Sequence, residues 1–499
     1  MVDFSNFHVD FPTSYFLAVC ATVLVLYWTF VKLFKNKNLP PGPIGVPILG
    51  HLPFLSSEPH RDLHKLGQKY GGIFGIYNGR THVVILGDYP SLKEALGKST
   101  TTDRPETTFD FIPDGVGFSS VNGEEWVEQR RYCMRAMRNV GLGRDTWEDI
   151  LQAEVSDFVE LISRQNGRPF DPTLPLTASV SRNISALLFG RRLSINDEQA
   201  DLFAAAIYSS SQFAPLIGAR SAFPSLMDAL ARIGLLEKKA ASLDKLVEFN
   251  RFVRDQVEER RRQNTEDDKD DFIGGYLQKI KENRGFNLGN TFNETNLHGN
   301  IQALFIGASD TTRTSLSWLM LALAAHQGAQ RKVQKEADRE GGTAVTWAGR
   351  GRYPVAVATI MEGQRWRTVA PLNTGRVAME DIRVGGYDIP KGTTIIANNW
   401  GVHNDTNYWT DPEEFRPERF LSADGTQVNL KPESYVPFSY GKRNCPGETV
   451  AIMEILFYFV AILRKFNVLP PEGREINLQG TLGLTYQPIP QELCFVPRI

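Results

Sequence analysis

Apolar residues recur along most of the chain at the spacing of helices that are buried on one side. From about Asp62 onwards the pattern is mainly helical, and residues 144–164 and 243–263 have the spacing of amphipathic helices. Short runs at Ile73–Tyr77 and Thr81–Leu86, rich in β-branched and aromatic residues, interrupt it and predict strands. The pattern therefore predicts a mainly α fold with a small β portion.

A longer stretch, Asn300–His326, is apolar all round a helix, and the apolar run Val450–Leu463 also has helical character. A helix of this kind is buried in a large protein or crosses a membrane. Asp310 and Arg313 near the middle of the first stretch argue against a membrane span, because charged residues are costly in a bilayer. We therefore expect a buried central helix there.

The N-terminal region has the pattern of a membrane anchor. Residues 11–31 carry no charge, and as a helix they would extend over roughly 32 Å, enough to cross the hydrocarbon core. The positive-inside rule places the following chain in the cytosol, since basic residues come after the run at Lys32, Lys35 and Lys37. We predict a transmembrane anchor over residues 11–34. The alternative is a cleaved signal peptide, which would need basic residues before the run and a small-residue cleavage site.

The segment 38–48 reads as a stiff hinge, because prolines fix φ at several of its positions between Pro40 and Pro47. It would set the angle between the anchor and the rest of the chain. Nothing further along has the composition of an interdomain linker. Residues 49–499 are therefore predicted to form one domain.

Composition narrows the functional classes. With 499 residues, 42% of them hydrophobic, the chain can bury a large core, and its formal net charge of −2 argues against nucleic acid as a partner. Its cysteines show neither a disulfide framework nor the C-x-x-C spacing of a metal site, which favours a reducing compartment. They are Cys20, Cys133, Cys445 and Cys494.

One of these cysteines stands in an unusual setting. The stretch Phe438-Ser-Tyr-Gly-Lys-Arg-Asn-Cys-Pro-Gly447 reads as a glycine-containing loop that brings Cys445 to the start of a helix. Aligned N–H groups at a helix N-terminus stabilise a thiolate, and a rigidly held thiolate is a good axial ligand for an iron macrocycle. The alternative interpretation is a buried structural cysteine beside a glycine turn.

The middle of the long apolar helix also has chemical potential. Its sequence Gly307-Ala-Ser-Asp-Thr-Thr312 has small residues that let another group approach the backbone. Thr311 can bond back to a carbonyl and open the helix locally, and an acid beside an alcohol can relay protons. The alternative is a kinked structural helix with no chemical role.

Together these motifs resemble the cytochrome P-450 family, the haem-thiolate monooxygenases. The loop matches the family's haem-binding signature F-x-x-G-x-R-x-C-x-G, which implies that Cys445 is the axial ligand to haem iron. The helix resembles the oxygen-activation motif, which implies that Asp310 and Thr311 deliver protons during oxygen activation. Ala308 replaces the second glycine that is usual in this motif.

The resemblance extends over about residues 38–499 and assigns further residues. An E-x-x-R pair and the arginine of a P-E-R-F segment imply a buried structural triad of Glu362, Arg365 and Arg419. Haem-propionate ligands are implied at Trp126, Arg130, Arg376 and Arg443. Without the resemblance, the first pair would be taken as surface ions, and Trp126 as a partly buried residue beside an exposed arginine.

The fold and function that the resemblance implies are those of an animal family 2-like microsomal enzyme. Its cofactor would be haem b, with O2 and NADPH-derived electrons supplied through a separate flavoprotein, the NADPH-cytochrome reductase. The catalytic domain would face the cytosol at the endoplasmic reticulum membrane and oxidise a lipophilic small molecule. The expected substrate wall includes Phe111, Ile112, Phe118, Phe213, Leu216, Phe305, Ala308, Leu372 and Leu484.

Two alternatives stay open at this stage. A haem-thiolate isomerase or dehydratase would rearrange peroxides without a reductase, and the Asp310–Thr311 pair argues against it. A non-catalytic haem or lipid binder is suggested by residues 338–352, where four glycines and three arginines break any periodicity. Relatives usually have a helical or acidic segment there, and the sequence leaves open a divergent loop or a locally mistranslated reading frame.

Overall fold

The computed structural model describes residues 19, 22, 25–26, 38–106, 117–140, 145–189, 198–211, 222–232, 237–263, 272–283, 291–342 and 344–498. Its helices are α1 (Pro59–Tyr70), α2 (Tyr89–Gly97), α3 (Gly123–Val140), α4 (Asp145–Ser163), α5 (Thr173–Phe189), α6 (Glu198–Ser211), α7 (Pro224–Arg232), α8 (Glu237–Gln263), α9 (Phe272–Asn283), α10 (Glu294–Ala325), α11 (Gln327–Arg339), α12 (Pro354–Trp366), α13 (Asn399–His403) and α14 (Glu448–Lys465).

The strands are short and form four small sheets. They are β1 (Ile73–Asn78), β2 (Thr81–Leu86), β3 (Arg376–Val377), β4 (Ile382–Val384), β5 (Tyr387–Ile389), β6 (Thr394–Ala397), β7 (Phe466–Leu469), β8 (Gly480–Leu482), β9 (Tyr486–Pro488) and β10 (Cys494–Pro497). The largest sheet has the order β1-β2-β6-β3, in which β2 and β6 run parallel with Val83 opposite Thr394. The expected mainly α fold with a small β portion is confirmed.

The periodicity located the main helices correctly. The two predicted amphipathic segments correspond to α4 and α8, and the apolar run after Cys445 corresponds to α14. The predicted central helix is α10, whose N-cap residue Asn293 accepts a hydrogen bond from the backbone N–H of Asn296 across 2.8 Å. This helix is buried over most of its length and packs against α5, α12 and α14.

The glycine- and arginine-rich segment at 338–352 is irregular, as its lack of periodicity indicates. After α11 it forms a turn and then a 3-10 helix at Ala348–Arg352. Val345 is buried in the main core, and its carbonyl accepts a hydrogen bond from the side chain of Gln152 at 3.2 Å. The backbone N–H of Trp347 donates to the carboxylate of Glu148 at 3.1 Å. The segment is thus fixed against α4 by specific contacts.

The structure describes only part of the N-terminal region for which predictions were made. The proposed anchor at 11–34 lies almost wholly outside the described residues, and among those that are described no helix is both long and apolar enough to cross a membrane. The hinge region packs against the first sheet: the N–H of Gly75 donates to the carbonyl of Pro41 at 2.7 Å. A Cβ on Gly42 would lie 1.8 Å from the carbonyl oxygen of Gly75, so this close approach requires glycine.

Candidate active site

A tight loop presents Cys445 just before α14 begins at Glu448. The N–H of Cys445 donates to the carbonyl of Phe438 across 2.9 Å, which closes the loop. Gly441 has a φ of +79°, and a Cβ there would lie 1.8 Å from the carbonyl oxygen of Leu96. The loop can therefore pack against the end of α2 only with glycine at this position, and the Cys445 side chain stays exposed.

The Cys445 side chain is exposed, although nearby protein atoms still desolvate its thiol. Desolvation raises the pKa of Cys445, although the backbone N–H of Gly447 acts in the opposite direction. We expected the nearby helix start to stabilise the thiolate; in the protein alone, desolvation outweighs that effect. Metal coordination deprotonates a thiol outright, so the raised pKa does not disfavour a metal-bound thiolate.

Arginines from distant parts of the chain converge beside this loop. Arg130 on α3 donates to the backbone carbonyl and side-chain oxygen of Asn444 at 2.8 and 3.0 Å. Arg376 on β3 donates to the carbonyl of Arg443 at 2.8 Å. The guanidinium of Arg443 lies 4.5 Å from the centre of the Trp126 ring. The four residues expected near a haem propionate therefore lie around one loop.

A further arginine, Arg104, belongs to the same cluster and was missed by the sequence reasoning. It donates through Nη1 at 2.5 and 2.9 Å to the carbonyl oxygens of Thr374 and Gly375. Burial and the neighbouring arginine cations hold the pKa of Arg104 well below its usual range, and the same causes lower the pKa of Arg376 to about 9. Arg104 lies between two elements, so no helical or strand period marks it.

The cluster has buried donors without partners among the described residues. They are Arg104 Nε, Arg376 Nη1, Arg443 Nε and Trp126 Nε1. Buried polar groups are normally hydrogen-bonded, and buried cations are normally paired with anions. A ligand with two carboxylates would satisfy both requirements, and the two propionates of haem are such groups. The residues present fit a haem whose iron lies at the exposed thiol.

One side of the central helix α10 is open while its other sides are buried. Ala303, Leu304, Gly307, Ala308 and Thr311 are accessible, and these positions lie one helical turn apart along the same face. A Cβ added to Gly307 would meet no atom within 4 Å. The face is almost entirely apolar. It forms a wall of small residues along which a flat or lipophilic group can lie.

Comparison with known proteins decides the family. The family profile described as Cytochrome P450 matches residues 40–495 of the chain. The chain belongs to the cytochrome P450 family. It is 32% identical to Cytochrome P450 2J2 of Homo sapiens over 98% of this chain and 97% of that protein. It is 33% identical to Cytochrome P450 2D28 of Mesocricetus auratus, covering 93% of each, and 29% identical to Cytochrome P450 18a1 of Drosophila melanogaster, covering 97% and 91%.

Membership confirms the enzyme class that the motifs predicted. This cytochrome P450 is a monooxygenase whose cofactor is haem b, with O2 and NADPH-derived electrons as co-substrates. The match covers the catalytic region and both chemical motifs. The irregular segment at 338–352 lies within the matched range as well.

The acid and the alcohol of the oxygen-activation motif have separate hydrogen bonds in this P450. The Thr311 hydroxyl donates to the carbonyl of Gly307 at 2.8 Å, the back-bond predicted from the sequence. Asp310 is fully buried, and its Oδ1 contacts Arg313 at 2.5 Å. Its Oδ2 accepts a hydrogen bond from Thr485 at 2.7 Å. Both carboxylate oxygens of Asp310 are thus occupied by partners other than Thr311.

The predicted structural triad is assembled in the structure. Glu362 receives two hydrogen bonds from Arg365 at 2.7 and 2.8 Å and one from Arg419 at 3.1 Å. The Glu362 and Arg365 side chains have no exposed surface, and Arg419 retains 7%. The carboxylate also accepts the backbone N–H of Arg416 at 2.8 Å. This network joins α12 to the 3-10 helix Pro417–Phe420.

The expected substrate wall is only partly within the described structure. Phe111, Ile112, Phe213 and Leu216 lie outside the described residues. Ala308 lies on the accessible face of α10, and Leu372 is half-buried. Leu484 is 36% exposed at a hairpin turn. These last three have surface available to a ligand.

Two of the expected wall residues are enclosed by other side chains. Phe118 is buried, and its N–H donates to the side chain of Asn300 at 2.8 Å. Phe305 has no accessible surface, because its ring lies 5.0 Å from that of Phe203 and 4.7 Å from that of Phe249. The neighbouring Leu304, which the sequence reasoning did not select, is the accessible residue at this level of the helix.

Proposed function

We propose that this P450 is a membrane-bound enzyme that inserts one atom of O2 into a lipophilic small molecule, with electrons from NADPH through a separate reductase. The observation that carries the proposal is the group of buried donors beside the exposed thiol of Cys445 that have no partner in the described part of the chain. A haem with two propionates supplies the anions that these donors lack. When bound, the haem supplies the redox chemistry.

Each residue of the cluster has a defined part in this proposal. Cys445, held in place by its own N–H bond to Phe438, would hold the haem iron through its thiolate. Arg104, Arg376 and Arg443, with Trp126, would bind the propionates. Arg130 ties α3 to the thiolate loop through Asn444 and adds positive charge beside the propionates. The loop and the arginines thereby orient the cofactor in one way.

The substrate class follows from the open face of α10. This face is lined by Ala303, Leu304, Gly307 and Ala308, which offer no charge and no side-chain hydrogen-bond partner. A polar substrate would lose its hydration there without compensation. A lipophilic molecule gains from the burial of its apolar surface, and Thr311 is the polar group beside it.

Electron transfer needs a surface for the reductase. Arg131, Arg135 and Arg138 are exposed on α3, spaced so that they lie along one face of this helix. The same helix carries Arg130, which contacts the loop of Cys445. We infer that an acidic flavoprotein, the NADPH-cytochrome reductase, docks on this basic face, where electrostatic attraction favours the encounter.

The experiment that tests the proposed function uses the purified full-length protein. Its reduced, CO-bound absorption spectrum reports whether a thiolate-ligated haem is present. The protein is then combined with a reductase, NADPH and a fluorogenic alkoxycoumarin as the lipophilic probe. Product that depends on NADPH and O2 supports the proposal; a haem-thiolate spectrum with turnover of peroxides alone would contradict it.

Thr311→Ala is expected to retain haem but to waste electrons as hydrogen peroxide. The hydroxyl is proposed to hold the proton path, while it contributes only a back-bond to Gly307 within α10. Alanine is a better helix former than threonine, so the helix itself should persist. The measurement is product formed per NADPH consumed, with Thr311→Ser as the control that keeps the hydroxyl. Equal coupling in Thr311→Ala and the wild type would remove Thr311 from the mechanism.

We also propose that the enzyme is anchored in the endoplasmic reticulum membrane by residues 11–34, with its catalytic domain in the cytosol. In addition to the uncharged N-terminal run, the described structure has exposed apolar residues close to the hinge. Ile48 is 71% exposed and Phe54 is 60% exposed. Gly79 of the adjoining hairpin lies against the backbone of Ala222 and the ring of Phe223. An apolar surface of this kind can rest on the lipid interface.

Removal of residues 1–37 is therefore expected to weaken membrane attachment without loss of haem. The truncation removes the uncharged run, while the exposed apolar surface around Ile48 remains and should give residual, salt-resistant binding. Fractionation of expressing cells, with the CO spectrum of each fraction, measures both quantities. Attachment that is as strong in the truncated protein as in the full chain would refute the anchor.

A further inference from the structure

The acid of the oxygen-activation motif is connected to a hairpin far away in the sequence. Thr485 lies 175 residues from Asp310 and donates its hydroxyl to Oδ2 of Asp310 at 2.7 Å. The other oxygen, Oδ1, contacts Arg313 at 2.5 Å. All three residues are buried, with relative exposures of 0% for Asp310 and 2% for each of the other two. Among the described residues, the hydroxyl is therefore one of two groups that fix the orientation of this carboxylate.

Thr485 occupies a particular place in the hairpin. It stands between the turn residue Leu484 and the strand β9, and its carbonyl accepts the N–H of Gly483 at 2.9 Å. The tip residue Leu484 is 36% exposed, whereas Thr485 is buried. The turn thus offers an apolar side chain on its open side and a hydroxyl to α10 on its buried side.

Further contacts join the hairpin of β8 and β9 to α10. The indole N–H of Trp318 donates to the carbonyl of Tyr486 at 2.8 Å. The hydroxyls of Thr314 and Thr485 lie 3.4 Å apart. These contacts fix the position of β9 on the helix. Among them, the hydrogen bond from Thr485 to Asp310 is the one made to an ionisable side chain.

The two partners of Asp310 use one acceptor position on each carboxylate oxygen, and each oxygen has two lone pairs. A proton can therefore reach Oδ2 while the hydroxyl of Thr485 still holds this oxygen in one orientation. Loss of that donor would leave a buried charged oxygen without its partner, so the orientation of the acid depends on where the hairpin sits. Leu484, at the tip of the same turn, has exposed surface.

We propose that Thr485 is a positioning residue that links the substrate-facing turn at Leu484 to the carboxylate of Asp310. Through this hydrogen bond, the placement of the turn controls the orientation of the acid and its readiness to move protons. The inference rests on the proposed function, because it assumes that Asp310 serves proton delivery. Thr485 belongs to none of the motifs recognised in the sequence, and the inference adds it to the residues that serve proton delivery.

The first test is a set of matched variants assayed for product formed per NADPH consumed, with the alkoxycoumarin as the probe. Thr485→Val keeps the shape but removes the hydroxyl, and we expect coupling to fall by about tenfold, the factor that matches loss of one hydrogen bond to a charged group. Thr485→Ser keeps the hydroxyl and should retain coupling. Thr481→Val, on the same hairpin at an exposed position, is the control.

A double-mutant comparison separates positioning from a general structural effect. In an Asp310→Asn background, Thr485→Val should cause no further loss of coupling, because the carboxylate on which the hydroxyl acts is gone. An equal loss in both backgrounds would overturn the proposal, as would wild-type coupling in Thr485→Val. Activities of the variants are normalised to the amount of CO-binding haem, so that poorly folded protein is excluded from the comparison.

The second test does not depend on turnover. Hydrogen exchange of backbone amides over residues 480–488 should be about tenfold faster in Thr485→Val than in the wild type, and unchanged in Thr481→Val. Unchanged exchange in Thr485→Val would show that the hydroxyl does not hold the turn. If the wild-type protein lacked the spectrum of a thiolate-ligated haem, the proposed function would be refuted. The hydrogen-exchange result would still show whether the Thr485 hydroxyl holds the turn.

Discussion

Cys445→Ala is expected to reduce NADPH-dependent product formation to background and to remove the absorption band of a reduced, CO-bound haem thiolate. The loop presents this thiol as an exposed group beside a cluster of buried arginine donors for which the described residues provide no partner. Alanine offers no ligand for iron. Among the described cysteines, Cys133 and Cys494 are buried, and desolvation raises the pKa of each thiol, so neither is placed to act as a substitute.

The matched control for this variant is Cys494→Ala, which removes a thiol from β10 away from the arginine cluster. It should keep the wild-type spectrum and activity. Loss of the ligand can also lower the amount of folded protein, because a cofactor that binds the native state stabilises it by mass action. Folding is therefore measured separately by circular dichroism. A full thiolate band in Cys445→Ala would show that Cys445 is not the axial ligand.

Glu362→Ala is expected to cost about 3–5 kcal/mol of folding free energy, the range for removal of one partner from a buried charge network. Its carboxylate accepts hydrogen bonds from Arg365, Arg419 and the backbone of Arg416, and its removal leaves two guanidinium groups without their anion. Since a native domain is stable by only about 5–15 kcal/mol, little folded protein should remain at physiological temperature. Thermal unfolding and haem content measure the loss.

Glu418→Ala provides a control in the neighbouring 3-10 helix. Glu418 pairs with Lys332 at 2.5 Å, but the two side chains are 46% and 62% exposed. Solvent screens such a pair, so its removal should cost less than about 1 kcal/mol. If Glu362→Ala unfolded no more easily than Glu418→Ala, the triad would not be the structural element that we propose.

The sequence was sufficient wherever the signal is local. The spacing of apolar residues predicted α4, α8 and α10 because the period of a helix is set by its own backbone geometry. The glycine and cysteine of the haem-binding signature lie within a single loop, so their relationship is fixed by nearby residues. The Glu362 and Arg365 side chains are likewise one helical turn apart. Their spacing predicted that they lie on one face of the helix but did not predict their burial.

What the tertiary structure decided are relationships between segments that are distant in the chain. Arg104 joins the propionate cluster because a connecting segment passes β3, and nothing in its own neighbourhood marks it. Similarly, Asp310 finds its partner in Thr485 only when the last hairpin packs on α10. Hydrogen bonds and burial depend on which surfaces meet, and a local residue pattern does not contain that information.

The sequence also did not predict which side chains of the all-round apolar helix α10 are accessible and which are enclosed. Phe305 and Leu304 are neighbours of similar hydrophobicity, yet the first is enclosed by two aromatic rings and the second is accessible. An all-round apolar pattern has no polar face from which to read an orientation. By itself the sequence therefore determined that α10 is central and which motif it carries, while packing against its neighbours decided which of its faces is open to a ligand.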